Sequence, residues 1–190
     1  MIDYLNDIEK CLEVLQNGGI ILYPTDTIWG FGCDATNEAA VAKIYKLKKR
    51  AEEKSMIVLL AADKDLIQYI TQPDLSALDY LHTTTKPTTV IYDGATGLAE
   101  NIINRDGTVA IRITKDAFCK HLIKRFKKPI VSTSANVSGD LSPTQFSFIT
   151  DEIKNGVDYI VQHRQNDLTP AVPSAIIRWN KDGTIAVIRY

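Results

Sequence analysis

The chain predicts an α/β fold built on a mixed, twisted sheet, and three observations carry the prediction. Short β-branched runs alternate with helical patterns along most of the sequence, as crossover units do. Near the end, three strand-like runs follow one another, which adds antiparallel pairs. The 190 residues suffice for one sizeable core and hold no linker, internal repeat or low-complexity tract to divide it. Residues 1–190 therefore read as a single domain.

Residues 4–16 set Ile8, Leu12 and Leu15 at helical spacing, and Gly18-Gly19 ends the segment. GIILY (19–23) is a buried strand, closed by Pro24 and followed by the loop PTDTIWGFGCD. A second helix puts Val41, Ile44 and Leu47 on one face, with Thr36 or Asn37 as its cap. MIVLL (56–60) is a strand, and residues 63–70 and 74–81 read as short helices. Residues 88–92 and 108–113 are strands of alternating or β-branched type, 117–126 is a helix, and PIVS (129–132) is a strand. YIV, SAIIRW and TIAVIRY complete the sheet, the last two joined by NKDG as a hairpin turn.

Charge narrows the function. The formal net charge is −1, whereas a nonspecific grip on phosphate backbones takes a clear basic excess. Any RNA contact is then local or made through partners. The N-terminal MIDYLNDIEKCLEVL is acidic where a secretory leader is basic, and no apolar run reaches the ~20 residues that span a bilayer. Cys11, Cys33 and Cys119 are far apart with no CxxC pair, and His82, His121 and His163 are equally scattered. This spacing argues against a disulfide framework or a side-chain metal cage and points to a reduced cytoplasm.

Polar chemistry gathers where strands end. Tyr23 gives way to Thr25, Asp26 and Thr27, and Val131 gives way to Ser132, Thr133, Ser134, Asn136 and Ser138. Ligands in open α/β sheets bind just beyond such ends, and hydroxyls with free N–H groups cradle anions there. The same residues also close Asx and Ser/Thr turns, so either segment alone supports both readings. The second helix ends KIYKLKKR, with Lys43, Lys46 and Arg50 sharing a face and Lys48, four after Ile44, at the edge of the apolar stripe. Cations there complement the helix dipole by ~0.3–1 kcal/mol each. Alternatively Lys48, Arg50 and Lys54 converge on phosphates. No GxxxxGK[ST] is present, so a P-loop is excluded. Arg112, in TVAIRIT, is costly unless paired or exposed. It is either an edge-strand residue or the receiver of a carboxylate, and spacing does not decide between them.

Taken together, these segments resemble the YrdC-like family of threonylcarbamoyl-adenylate synthases. YPTDTIWGFGCDA is similar to the family's YPT[ED]T-x-[YF]G-[LV]G-x-[DN], LKKR to its KxR, GTVAIRI to its T-[VI]-[AG]-[VI]-R strand and VSTSANVSG to its S-x-N loop. PSAII and IAVIR resemble its late strands, in the family's order. Departures are Ala51 for the proline after KxR, Ser55-Met56 for [PG]-L, Leu59 for a histidine of some members, Thr84-Thr85-Lys86 in a WPGP-like segment, and Pro173-Ser174-Ala175 for E-S-T. The resemblance implies a twisted open mixed sheet flanked by helices around a large, positively lined concave pocket. It also implies a short form without the extra C-terminal domain of longer relatives.

The implied activity joins L-threonine, bicarbonate and ATP into threonylcarbamoyl-adenylate and releases pyrophosphate. The product passes to the proteins that modify an adenosine of tRNA. Carried over by position, Thr27, Arg112, Ser132 and Ser174 would hold threonine. Lys48, Arg50, Lys54, Thr108, Ser134, Asn136, Ser142 and Arg189 would hold ATP, with Mg²⁺ on its phosphates by analogy. No protein nucleophile is implied, and catalysis rests on positioning and charge stabilisation. Two other readings stand beside this one: a non-catalytic relative that binds RNA or nucleotide on the same concave surface, and an ATP-using enzyme that activates another carboxylate or carbamoyl donor.

Overall fold

The computed structural model describes residues 4–51, 56–180 and 184–190. Helix α1 (Leu5–Gln16) buries Ile8, Cys11, Leu12 and Leu15, the expected stripe. It also buries Asp7, whose carboxylate accepts from the Tyr159 hydroxyl at 2.6 Å and from the backbone N–H groups of Gln162 and His163, each at 2.9 Å. A buried carboxylate with three donors is satisfied, and here it ties the first helix to a distant strand end.

Strand β1 (Ile21–Tyr23) is fully buried and turns back as β2 (Gly30–Gly32), its antiparallel neighbour. The sequence reading leaves this stretch as loop. The two glycines that disguise it are there because β2 is squeezed between β1 and strand β6 (Ile130–Ser134). A Cβ on Gly30 would stand 2.8 Å from the Thr133 carbonyl oxygen, and one on Gly32 would stand 2.7 Å from the Tyr23 ring. Close backbone approach, rather than turn formation, is the role of glycine at both positions.

Helix α2 (Glu38–Leu47) is capped by Asn37, whose Oδ1 accepts from the Ala40 N–H at 3.1 Å. Thr36 is occupied one step earlier, donating its N–H and hydroxyl to Asp34 Oδ1 at 2.8 and 2.6 Å. Strand β3 (Ile57–Leu60) leads into a 3-10 helix at Asp63–Gln68, then α3 (Ser76–Thr83), β4 (Thr88–Tyr92) and β5 (Val109–Ile113). Helix α3 starts two residues later than the sequence pattern suggests, because Asp74 accepts from the Ser76 N–H at 2.9 Å and acts ahead of the helix. Helix α4 (Ala117–Phe126) then precedes β6, and the short α5 (Asp151–Asn155), unforeseen in the sequence, precedes β7 (Tyr159–Ile160).

Strands β8 (Ala175–Trp179) and β9 (Ile185–Arg189) form the expected antiparallel pair. Residues 181–183 of the NKDG turn lie outside the described residues; beside them the Asn180 N–H donates to the Thr184 carbonyl at 2.9 Å. Among the described residues the strands make one nine-stranded sheet in the order β7-β1-β2-β6-β3-β5-β4-β8-β9. Pairs β1/β7, β3/β5 and β4/β8 are parallel and the others antiparallel, so the sheet is mixed. Register decides what faces the site: Ile57 pairs with both Ser132 and Ala110, and Leu59 with Arg112. Side chains alternate along a strand, so Ser132, Ser134 and Arg112 share one face.

The crowding around β2 yields a test. Gly30→Ala is expected to destabilise the fold by roughly 1–3 kcal/mol, the usual range for forced overpacking. Urea unfolding should show a lower midpoint with an unchanged slope; an unchanged midpoint would mean that β2 and β6 can part freely.

Candidate active site

A cavity of about 150 Å³ opens on the shared face of β5 and β6. Its wall is completed by the loop after β1, the segment after α2, the start of β8 and the end of β9. Thr27, Arg50, Arg112, Ser132, Ser134, Ser142, Ser174 and Arg189 all line it. Eight side chains from distant parts of the chain therefore converge, and all eight are hydroxyls or guanidiniums.

Arg112 forms the floor and is only 2% exposed. Strand β5 lies between β3 and β4, so this arginine is not an edge-strand residue, and it lines the cavity. Its Nη2 is 3.2 Å from Asp26 Oδ1, an ion pair. Asp26 is held in turn through Oδ2, which accepts from the Thr114 hydroxyl at 3.2 Å and the Lys115 N–H at 3.1 Å. Nε and Nη2 of Arg112 are nevertheless buried without a hydrogen-bond acceptor. Orphan donors on a buried cation are expensive and rare, and here the residue that carries them lines a cavity.

Two further guanidiniums join it. Arg189 donates from Nε and Nη2 to the Ser174 carbonyl at 3.1 and 2.9 Å, which anchors the end of β9 over the start of β8. Burial, and then the neighbouring Arg112, pushes its pKa below the usual arginine value. Burial likewise lowers that of Arg50. Guanidiniums stay protonated under such pressure, so the cavity holds clustered positive charge and favours an anion.

The hydroxyls are organised too. The Thr25 hydroxyl donates to the Ile28 carbonyl at 2.9 Å, which makes the Thr27 hydroxyl the donor in the 2.9 Å bond between the two threonines. The Thr27 oxygen thus keeps its lone pairs for a donor in the cavity. Ser174 is 1% exposed and shares a 2.8 Å hydrogen bond with Thr89.

Three described residues singled out in the sequence do not join this group. Lys48 and Asn136 are turned toward each other beneath the β6 end: the Lys48 ammonium donates to the carbonyl oxygens of Ser134 and Asn136, and the Asn136 amide donates to the carbonyls of Val137 and Asp140 at 3.0 and 2.8 Å. Their polar atoms are thus consumed within the loop. Thr108 stands roughly 13 Å along the strand from Arg112. It closes its own turn, donating to Asp106 Oδ1 at 2.7 Å and accepting from Asn104 Nδ2 at 2.9 Å. Lys54 lies outside the described residues. Conversely, sequence reasoning missed Asp26 as the partner of Arg112 and Thr89 as that of Ser174. A strand arginine in need of a counter-charge was the available signal, but choosing its carboxylate required the sheet register.

A mixed α/β sheet with a cavity lined by arginines and hydroxyls has the chemistry of an anion site. The family profile Sua5_yciO_yrdC, described as telomere recombination, matches residues 13–190. The chain belongs to this family. It is 31% identical over 186 residues to a Coxiella burnetii protein named threonylcarbamoyl-AMP synthase, covering 94% of this chain and 100% of that one. A Vibrio campbellii protein of the same name is 33% identical over 138 residues, 71% of this chain and 75% of its own. The crystal structure of P. abyssi Sua5 complexed with L-threonine matches with a TM-score of 0.84 at 22% identity, a likeness of fold covering 96% of this chain. This chain spans 53% of that longer one.

Calorimetry with inorganic pyrophosphate tests the anion cavity directly. Arg189→Gln is expected to weaken binding tenfold to a hundredfold, since a hydrogen bond to a charged group is worth ~1.5–3 kcal/mol. Thr108→Ala should lower the melting temperature slightly and leave the affinity unchanged. Equal loss in both variants would show that the cavity extends along β5 to Thr108.

Proposed function

We propose that this protein is a threonylcarbamoyl-AMP synthase, which makes threonylcarbamoyl-adenylate and pyrophosphate from L-threonine, bicarbonate and ATP. The observation that carries the reading is Arg112: a buried guanidinium that lines the cavity, is partly neutralised by Asp26 and has two nitrogens without an acceptor. A planar fork of that kind suits a carboxylate, and the substrate carboxylate is the group it would take.

In this reading threonine binds with its carboxylate on Arg112 and its hydroxyl and amino groups among Thr27, Ser132 and Ser174. The amine reacts with bicarbonate, losing water, to give an N-carboxylate. An oxygen of that carbamate attacks the α-phosphorus of ATP, a P–O bond forms, and the bond to the β-phosphate breaks to release pyrophosphate. Arg50, Arg189, Ser134 and Ser142 neutralise and orient the phosphates, and Lys54 is assigned to the same task. Positioning and charge stabilisation carry such phosphoryl chemistry without covalent help from the protein. The buried thiols of Cys11 and Cys33 suit bystanders, since burial raises their pKa and keeps them protonated. Clefts for whole ligands run to ~300–1,000 Å³, so the cavity of about 150 Å³ suits the reacting groups, with the nucleoside extending beyond it.

Mg²⁺ enters this proposal as a companion of the triphosphate. Hydroxyls and guanidiniums are a donor set for phosphate oxygens, and a hard dication would take its anionic ligands from those phosphates. The product would go to tRNA-modifying proteins, with tRNA contact made locally or through those partners. A cytoplasmic location agrees with that role, and no helix among the described residues is long and apolar enough to cross a membrane.

Pyrophosphate release, measured with each substrate omitted in turn, is the deciding experiment. Release should require ATP, threonine and bicarbonate together. Undiminished release from bicarbonate-free buffer would sink the carbamate route, and no release under any condition would favour a binding-only relative. Kinetic constants then test the division of the site. Ser132→Ala should raise the KM for threonine, and Ser134→Ala that for ATP, each roughly tenfold to a hundredfold. Equal damage to both constants, tracking a fall in melting temperature, would reduce the two hydroxyls to turn-closing groups.

A further inference from the structure

Lys48 is the cation that the cavity does not use. It lies two residues from Arg50, which lines the cavity, yet it is only 1% exposed. It caps α2, and its carbonyl accepts from the Ser138 N–H at 2.7 Å. Its Nζ faces three oxygens: the Ser134 carbonyl, the Asn136 carbonyl at 2.8 Å and Asn136 Oδ1 at 3.5 Å. The Phe31 ring centroid is 5.5 Å away. Main chain and side chain of one residue therefore grip the loop from Ser134 to Ser138 at both ends.

Three acceptors around one nitrogen match the three N–H donors of an ammonium, whereas a neutral amine has only two. Burial opposes that charge, with Arg50 adding to it, and together they push the lysine down to about 7. Among the described residues, the elements packed against it supply no compensating carboxylate: β2 presents the Phe31 ring, and the loop presents carbonyl and amide oxygens. Asp140, on the same loop, acts on Lys49 instead. The residue is thus poised between a charged form that its acceptors demand and a neutral form that its surroundings favour. An anion arriving in the adjoining cavity changes that balance toward the charged form.

We propose that Lys48 is a positioning residue: its Nζ holds the carbonyl oxygens of Ser134 and Asn136 beneath the cavity, keeps the Ser134 hydroxyl turned toward the nucleotide phosphates, and becomes fully protonated when those phosphates bind. Drawing the Ser134 carbonyl away from the cavity fixes the strand end, and with it the side on which the Ser134 Oγ stands. The proposal rests on the cavity's being the nucleotide site, and its two parts can be tested separately.

The coupling is read by calorimetric titration of the intact protein with ATP at pH 8, where ATP itself carries few exchangeable protons, in two buffers of different ionisation enthalpy. Wild-type protein should take up a proton, to a limit of about one per nucleotide, so that affinity falls by up to about tenfold per unit of rising pH. Lys48→Met should bind with no proton uptake. Its loss of affinity should not add to that of Ser134→Ala, because it acts through that hydroxyl. Buffer-independent heat in the wild type, or additive losses in the double variant, would overturn the coupling. The clamp is read without any ligand, by amide hydrogen exchange. Lys48→Met should speed exchange in residues 135–138 while β3 and β5 remain protected, and unchanged exchange there would overturn it. Wild-type protein that binds no ATP would refute the nucleotide reading alone, since the exchange experiment judges the clamp independently.

Discussion

The ion pair between Arg112 and Asp26 is the constraint on which the rest of the site depends. A guanidinium on a strand between two others costs several kcal/mol unless a counter-charge and acceptors reach it. Asp26 is that counter-charge, 3.2 Å away, and it comes from the loop after β1. The loop must therefore pass over the end of β5, where Thr114 and Lys115 hold the other carboxylate oxygen. Thr27, next in sequence, arrives at the cavity wall as a result. The compensation is incomplete, since Nε and Nη2 of Arg112 remain without a hydrogen-bond acceptor.

Charge in this protein is organised by position rather than by amount. A chain with a net charge of −1 still collects Arg50, Arg112 and Arg189 around one cavity. Neighbouring cations divide the labour. The arginines present donors to the cavity or brace its rim, as Arg189 does through the Ser174 carbonyl. Lys48 is directed inward, where a compact ammonium can satisfy several carbonyl oxygens at once, as a planar fork would not. The resemblance to KxR and S-x-N segments groups these residues as nucleotide contacts. The structure separates them into those that line the cavity and those, Lys48 and Asn136, that bond to the loop beside it.

Strand β2 makes this arrangement possible. It brings β1 and β6 to either side of a three-residue ribbon, which sets the two polar strand ends facing one another across the cavity. The glycines of GFG permit that approach, and Phe31 between them lies against Lys48. One short strand thus links the packing of the sheet to the position of the Ser134 loop.

The sequence by itself determined the α/β class, most of the strands and the helix stripes, because periodicity and β-branching are local properties. It also marked the polar strand ends, the cap at residues 36–37, the unresolved need of Arg112 for a partner and, through its spacing from Ile44, the place of Lys48 at the edge of the apolar stripe. Tertiary structure alone decided that GFG is a strand, since its glycines answer to Thr133 and Tyr23 rather than to a turn. It alone paired Arg112 with Asp26 and turned Lys48 toward Ser134, a contact spanning 86 residues. It also left Thr108 to its own turn. Those contacts depend on the register of strands far apart in the chain, and no local pattern encodes which of two well-formed polar segments will lie opposite the other.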